Sequence, residues 1–396
     1  MMFVPIASRA LAMRSRLSTP VRWLVEHPWM VMISFSAVLN LVWSIHSNYT
    51  WHYVVTGTRF LFAGAGLHLY AAHPELQMGP LTFVAAAPFI LLLPVGLAHV
   101  LIIAGMAGTG IVTYRLIQSM IGENWIVPPF TFLAVGGLFT AVWAELSARW
   151  GHPDDAAAVL LTVAAVVLLR RQHAGWMALS LAAAVDFKPW AVAAVPLVLA
   201  AHRSTWLRSI AIIVAGVAAA WLPFFLADHQ TLRALRFSIP NVADSALRVL
   251  GVHDASTPPW LRTVQLGLAL LLAGLLALRG QWASVLLGVV ATRMLFDPAT
   301  KGYYTAGLIA ATALLDLVEL GRRAWLTYAA TLFLFIPNYI LGTYPVLRGI
   351  LRAAVLLSMI AYVCYRAVTS RGLTHRTRSS DTGNIATRQP GRIPEF

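Results

Sequence analysis

Apolar runs interrupted by short polar segments recur along the chain from Val31 to Val363. A helix needs roughly 20 apolar residues to cross the hydrocarbon core of a bilayer. The pattern therefore predicts an all-α, polytopic membrane domain over 28–367, with about 12 spans by this length rule. The expected positions, ahead of a final pair, are 29–46, 96–117, 125–146, 155–170, 175–187, 189–201, 209–226, 263–278, 282–296 and 303–320.

Composition agrees with this class, because 59% of the residues are hydrophobic and 11% are charged, values far from those of soluble domains. The formal net charge of +14 is carried mainly by arginines in alternate predicted loops. Cytoplasmic loops carry an excess of basic residues, so we assign these loops, the segment 1–27 and a disordered basic tail over 368–396 to the cytoplasm. The arginines thus indicate a multi-pass protein of the cytoplasmic membrane rather than a nucleic-acid partner.

This alternation of basic loops requires that the apolar stretch 81–94 does not cross the membrane. Proline removes helix hydrogen bonds, so Pro80, Pro88 and Pro94 predict a broken, half-inserted segment within a large first outer loop. The same loop has apolar and small residues at three- and four-residue spacing, typical of an amphipathic helix on a membrane surface. These residues are Tyr53, Gly57, Phe60, Leu61 and Gly64.

The chain has only two lysines, Lys188 and Lys301, and the predicted topology puts both on the outer face. Lys188 follows Asp186, and Lys301 follows Asp297. Arg293 and Lys301 together outnumber Asp297, and this excess positive charge suits a phosphate. Alternatively, Lys188 pairs with Asp186, and Arg293 pairs with Asp297 four residues later, since ionisable groups in membrane segments usually have partners. The first interpretation predicts a site for an anionic lipid phosphate.

Carboxylates and histidines on the same face are candidate general bases. The run 151–155 contains His152, Asp154 and Asp155 at the start of a predicted helix. One aspartate is sufficient to cap that helix, and ionisable residues at membrane depth are functional candidates. Glu75 is the only carboxylate of the first outer loop, and His52 carries a group that titrates near neutral pH. Each of these side chains is a candidate base, although His52 among aromatic residues also suits a structural hydrogen bond.

Motifs for nucleotide-dependent chemistry are absent. The sequence contains no Gly-x-x-x-x-Gly-Lys-[Ser/Thr] loop, no dinucleotide fingerprint on a strand and no zinc-ligand cluster. The short inner loops leave no room for a nucleotide-binding domain. We therefore expect no cofactor, with the metal requirement left open, and a reaction on the outer face whose energy arrives on a lipid.

The order of these features resembles the polytopic glycosyltransferases of the GT-C fold, in particular the actinobacterial family 87 mannosyltransferases that use polyprenyl-phosphate mannose or a related lipid-linked sugar. The resemblance covers about residues 28–367. It implies transfer of a sugar, mannose foremost, from a polyprenyl-phosphate donor to an envelope glycolipid or polysaccharide at the extracytoplasmic face. The motifs that carry it are 53–70, Gly79-Pro80-Leu81, 151–155 (GHPDD), 188–190 (KPW) and 297–304 (DPATKGYY).

One departure from that family concerns the catalytic base. The family usually carries an aspartate a few residues before the tyrosine matched by Tyr53, whereas 48–52 contains no carboxylate here. The base is therefore one of Glu75, His52 and the pair Asp154/Asp155. The expected substrate-binding residues are Lys301, Arg293, Asp297, Lys188, Asp186, His152, Arg59 and Tyr303. The alternative functions are a transporter or flippase for the lipid-linked sugar, and a scaffold without catalytic activity.

Overall fold

The structure is a computed structural model that describes residues 18–44, 50–63, 66–121, 127–321 and 323–369. The residues in these ranges are 80% helical and contain no strand. The predicted all-α class is therefore confirmed. Three predicted features lie outside the described residues: the basic tail beyond residue 369, most of the segment 1–27, and the residues 48 and 49 that precede Tyr53.

The helices follow one another with short connections, and several begin at a proline in the first turn, where its missing N–H has no intrahelical partner to lose. In chain order they are α1 (Thr19–Glu26), α2 (Pro28–Ser44), α3 (Trp51–Phe62), α4 (Leu69–Ala72), α5 (Pro80–Leu92), α6 (Val95–Gln118), α7 (Pro129–Ala144), α8 (Pro153–Arg170), α9 (Ala174–Phe187), α10 (Trp206–Ala227), α11 (Leu232–Leu235), α12 (Ala246–Val249), α13 (Leu261–Leu278), α14 (Trp282–Leu295), α15 (Tyr304–Leu315), α16 (Trp325–Ala330), α17 (Pro337–Ile340) and α18 (Pro345–Thr369).

Other helical forms extend or link these elements. A 3₁₀ helix, Pro189–Ala200, follows α9, and a shorter one, His229–Thr231, precedes α11. A π-helix, Glu145–Trp150, continues α7 up to Gly151, whose left-handed backbone (φ 67°) ends it. Two further π-helices follow α15 and α16. π-Helices are rare in proteins overall, and those that occur are often found at functional sites.

Within the described ranges, five helices are long and apolar enough to cross a membrane, and α1 with α2, bent by 89°, makes a sixth if the pair is one span. The five are α6, α7 with its π-helix, Arg203–Ala227, α13 and α18. Five more apolar helices have 10–17 residues. These helices support a membrane protein, while the total of about 12 spans, a figure from the length rule, stays a prediction.

The stretch predicted to be half-inserted is the helix α5. It has 13 residues and continues through Pro88, so the chain breaks at Leu93 and Pro94 rather than inside the segment. At about 1.5 Å per residue it is roughly 20 Å long, shorter than the roughly 30 Å of a hydrocarbon core. The predicted surface helix is α3, whose buried residues are Val54, Gly57 and Thr58. Gly64 lies outside the described residues.

Close contacts fix the ends of the helices that carry the polar residues. Gly57 of α3 packs against the Phe83 ring of α5. At the start of α5, the backbone N–H of Gly79 donates to the carbonyl of Phe187 at 2.8 Å, and the Thr82 hydroxyl donates to the same carbonyl at 3.1 Å. Helices α14 and α15 are buried along almost their whole lengths. The end of α9, the end of α14 and the start of α8 therefore meet inside the bundle.

Candidate functional site

Five ionisable side chains lie together where α8 begins. His152 immediately precedes α8, and Asp154 and Asp155 lie in its first turn. Lys188 follows α9, and Arg293 lies in the last turn of α14. We call these five residues the charge cluster. Asp154 is 0% exposed and Asp155 is 4% exposed, although carboxylates are rarely buried without partners. The sequence predicted all five as site residues, and the structure brings them together.

Both oxygens of Asp154 are engaged. Its Oδ1 lies 3.3 Å from His152 Nδ1, and its Oδ2 accepts a hydrogen bond from Lys188 Nζ. On the other side of the imidazole, His152 Nε2 lies 3.0 Å from the hydroxyl of Thr50, just before α3. The first predicted outer loop thus reaches the charge cluster through Thr50, a residue that sequence reasoning did not single out.

Asp155 has one engaged and one open oxygen. Its Oδ1 accepts from the indole N–H of Trp190 at 2.8 Å and from Arg293 Nη1 at 3.4 Å. Its Oδ2 lies 3.4 Å from Lys188 Nζ and 3.9 Å from His152 Nδ1, but it makes no hydrogen bond with the described residues. Asp155 Oδ2 is therefore a buried carboxylate oxygen that lies near a cation and accepts no hydrogen bond from the described residues.

The ion pairs differ from the local pairs considered in the sequence. Lys188 contacts Asp154 and Asp155 rather than Asp186, and Arg293 contacts Asp155. The two cations balance the two aspartates, as buried charges require. Among the described residues, Asp186 Oδ1 is buried without a hydrogen-bond partner.

Asp297 lies in the loop after α14 and is also buried. Its Oδ1 accepts from the backbone N–H of Ala299 at 2.9 Å. Burial raises the pKa of the Asp297 carboxyl above its ordinary value, against the opposing effect of the positive charge of Arg293. The carboxyl therefore helps to shape this loop, which carries Lys301 and Tyr303.

Aromatic rings close the charge cluster. Tyr303 stacks on His152 with ring centroids 3.9 Å apart, and the Arg293 guanidinium lies 4.9 Å from the Trp190 centroid and 5.0 Å from that of Tyr304. The cavity between Asp155 and these rings has a volume of about 10 Å³, the space of a single water molecule. This space is therefore closed to anything larger than water in this structure.

Lys301 lies beside this closed cluster and is exposed. Its ammonium is 5.0 Å from the ring centroid of Trp150, and the Trp150 ring lies 5.7 Å from that of Tyr303. Lys301 forms no ion pair within 4 Å among the described residues. Of the cations predicted to bind a phosphate, Lys301 is thus the one that the structure leaves accessible.

Glu145 is a buried carboxylate that sequence reasoning missed. It is 1% exposed and accepts hydrogen bonds from Arg149 Nη1 at 3.0 Å, from Trp150 Nε1 at 2.8 Å and from the Tyr339 hydroxyl. A Cβ built at Gly302 would lie 2.6 Å from Glu145 Oε1, so the loop of Lys301 rests directly on this carboxylate. Its signal in the sequence was a glutamate at the end of an apolar run, with an arginine four residues later.

The other predicted residues lie elsewhere. His52 is exposed and its ring centroid is 3.8 Å from that of Tyr53, and Arg59 is exposed on α3. The Glu75 carboxylate is 3.1 Å from His73 Nδ1. No hydrogen bond or ion pair between described residues joins His52, Arg59 or Glu75 to the charge cluster. Their catalytic and binding roles stay predictions.

The charge cluster also contains a set of potential metal ligands. Each of His152, Asp154 and Asp155 offers one ligand atom, and these three atoms lie within 4.8 Å of one another. Imidazole and carboxylate groups are common ligands of metal ions. The Lys188 ammonium lies within 4 Å of both carboxylates, where a metal ion would have to bind. A metal ion at these ligands would therefore have to displace the lysine.

Comparison with known proteins gives no family assignment. No family model, no curated protein and no solved structure matches this chain.

Proposed function

We propose that the protein is a membrane glycosyltransferase that moves a sugar from a polyprenyl-phosphate donor to an acceptor hydroxyl of an envelope glycolipid or glycan. The observation that carries this proposal is the buried charge cluster, together with the accessible Lys301 on the loop whose Tyr303 stacks on His152 of the cluster. Burying several charges among apolar helices is costly even when they are paired, and such groups in membrane segments mark functional sites. A carboxylate next to a cation that suits a phosphate is the chemistry that a phosphosugar requires.

Asp155 is the base in this proposal. The acceptor oxygen attacks the anomeric carbon, and its proton passes to Asp155 Oδ2. The bond between the anomeric carbon and the phosphate oxygen breaks at the same time, and its electron pair stays on the departing phosphate. The absence of a hydrogen bond at Oδ2 favours Asp155 over Asp154, whose two oxygens are both engaged. A positioned base contributes about 10²–10⁴-fold to the rate.

The leaving phosphate binds Lys301 in the same proposal. A fixed ammonium stabilises the negative charge that develops on the leaving group. Tyr303, between Lys301 and His152, is then positioned to contact the sugar, and its loop has to open for the donor to enter. On this proposal the active site lies at the extracytoplasmic face, where donors carried by lipids rather than by nucleotides are available.

The test is transfer of radiolabelled sugar by the purified protein from synthetic polyprenyl-phosphate mannose and arabinose to envelope glycolipids. We expect Asp155→Asn to lower turnover by about 100-fold or more, with the exposed Asp254→Asn as the matched control at full activity. Glu75→Gln and His52→Ala test the other candidate bases. If either of them abolishes turnover and Asp155→Asn does not, Asp155 is not the base.

A second candidate function is a carrier or scaffold that holds the phosphosugar without transferring it. The ion pairs of the charge cluster favour this second function. Lys188 and Arg293 each contact an aspartate, so neither cation is free to act on a substrate. Wild-type protein that binds the donor, but transfers no sugar from either donor, would support this second function and contradict the transferase.

A further inference from the structure

A second cavity, of about 520 Å³, opens at the surface next to the segment that joins α10 to α11. This volume is within the usual range of small-molecule sites, about 300–1,000 Å³. The residues that line it include Pro74, His229, Arg233, Arg236, Phe237 and Ser238. We call it the arginine cavity. The residues of the charge cluster do not line it.

The cations of the arginine cavity have no acidic partner. Arg233 and Arg236 are exposed, and neither forms an ion pair within the described part of the chain. The two carboxylates adjacent to the lining residues are engaged elsewhere: Asp228 Oδ2 lies 3.1 Å from His68 Nδ1, and Glu75 Oε1 lies 3.1 Å from His73 Nδ1. Within the described residues, the guanidinium groups of Arg233 and Arg236 therefore face the cavity without a direct ion pair.

Asp228 is held in place by its own segment. Its Oδ1 accepts from the backbone N–H of Gln230 at 2.8 Å. This N–H, together with the His68 side chain, lowers the pKa of Asp228 below its ordinary value. The Asp228 carboxylate is thus ionised at neutral pH. Its contacts with Gln230 and His68 hold it away from an ion pair with Arg233 or Arg236.

The segment that carries the two arginines is anchored to the bundle. The buried hydroxyl of Thr231 donates to the carbonyl of Phe224 in α10 at 3.0 Å, and Arg262 Nη2 lies 3.5 Å from the carbonyl of Phe237. Helix α11 also packs against α4. The backbone positions of Arg233 and Arg236 are therefore set by packing, which reduces the ordering that a bound ligand would require.

We propose that the arginine cavity binds a phosphate group, with the guanidinium groups of Arg233 and Arg236 on its oxygens and the Ser238 hydroxyl beside them. Two planar guanidinium groups match the geometry of phosphate oxygens and neutralise their charge. The phosphate belongs either to a lipid headgroup or to a free anion. On the predicted topology this cavity faces the same side as Lys301, where lipid headgroups are close. The proposal does not depend on the transferase function.

The experiment measures binding to the purified full-length protein in a neutral detergent. The probes are polyprenyl phosphate, short-chain phosphatidylglycerol and inorganic phosphate. The variant Arg233→Gln with Arg236→Gln is compared with Arg171→Gln with Arg208→Gln, which removes the same two charges from exposed positions elsewhere. We expect the first variant to bind about tenfold more weakly or worse, since hydrogen bonds to charged groups are the strong ones, and the control to bind like wild type.

The three probes distinguish the sources of the phosphate. Binding of inorganic phosphate alone to wild type, lost in the cavity variant, identifies a free anion as the ligand. Binding of the lipid probes without inorganic phosphate identifies a headgroup. Equal affinity of the cavity variant and wild type for every probe overturns the proposal, as does an equal loss in the control variant. Sugar transfer is not measured, so failure of the transferase proposal leaves this result interpretable.

Discussion

Asp154 and Lys188 form a deeply buried ion pair in the charge cluster, with side-chain exposures of 0% and 12%. Removing one partner of a buried pair leaves an uncompensated charge, which costs about 3–5 kcal/mol. We therefore expect Asp154→Asn and Lys188→Met each to lower the free energy of unfolding by an amount of this order. The double variant should lose less than the sum, since neither charge remains. Thermal unfolding of the four proteins in detergent measures this.

An exposed pair provides the control for that cycle. His73 and Glu75 lie 3.1 Å apart, and their side chains are about a third exposed (31% and 38%). Exposed pairs contribute about 0–1 kcal/mol, so His73→Ala and Glu75→Gln should leave the melting temperature nearly unchanged. Additive losses from Asp154→Asn and Lys188→Met, with no coupling between them, would contradict the pairing that the structure has.

The partners of Lys188 could not be predicted from the sequence, although Lys188 itself could. A neighbouring aspartate, Asp186, is the partner that local spacing favours. The partner in the structure is instead set by how α8 packs against α9. Glu145 was missed for a related reason: its three hydrogen-bond partners include Tyr339, far along the chain. Residue type thus indicates which side chains carry chemistry, and tertiary packing decides which of them meet.

At the scale of helices, the predicted positions agree better with the structure, because the length of an apolar run and the positions of prolines can be read from the local sequence. The predicted helices 96–117, 155–170 and 263–278 correspond to α6, α8 and α13, each within about two residues, the usual uncertainty of a helix end. The neighbour of α3 could not be predicted in the same way. Gly57 of α3 packs against Phe83 of α5, and spacing within one helix does not say which other helix it meets.

One contact between elements sets the position of Lys188. A Cβ at Gly79, just before α5, would lie 2.0 Å from the backbone oxygen of Asp186 and 2.6 Å from its carbonyl carbon. Backbone atoms cannot yield like a flexible side chain, so Gly79→Ala has to separate α5 from the end of α9. We expect a cost of about 1–3 kcal/mol, a lower melting temperature, and weaker turnover or donor binding because Lys188 shifts.

Gly96→Ala is the matched control for that substitution. Gly96 lies in the first turn of α6, and a Cβ there would have no heavy atom within 4 Å. Its melting temperature should equal or exceed that of wild type, because alanine also favours helix. Equal stability of the Gly79→Ala and Gly96→Ala proteins would contradict the close approach of α5 and α9.

At the scale of the whole molecule, the structure supports membrane spans but leaves their number and direction to be measured. Helix α9 and the 3₁₀ helix Pro189–Ala200 have 14 and 12 residues, so they either cross as two spans or enter and leave on one face. Both cases contribute an even number of crossings. Whether Arg171 and Lys301 lie on the same face of the membrane therefore depends on α10, α13 and α14. If all three helices cross, the two residues lie on opposite faces.

Single-cysteine labelling tests this topology, because Cys364 is the only cysteine of the chain. In a Cys364→Ala background, we expect a membrane-impermeant maleimide to label Lys301→Cys in intact cells and Arg171→Cys only after permeabilisation, since both positions are exposed. Labelling of both positions only after permeabilisation would mean that an even number of these three helices cross; α14, with 14 residues, is the one too short for the span test that α10 and α13 pass. That outcome would separate Lys301 from the outer face and remove the access on which a lipid-linked donor depends.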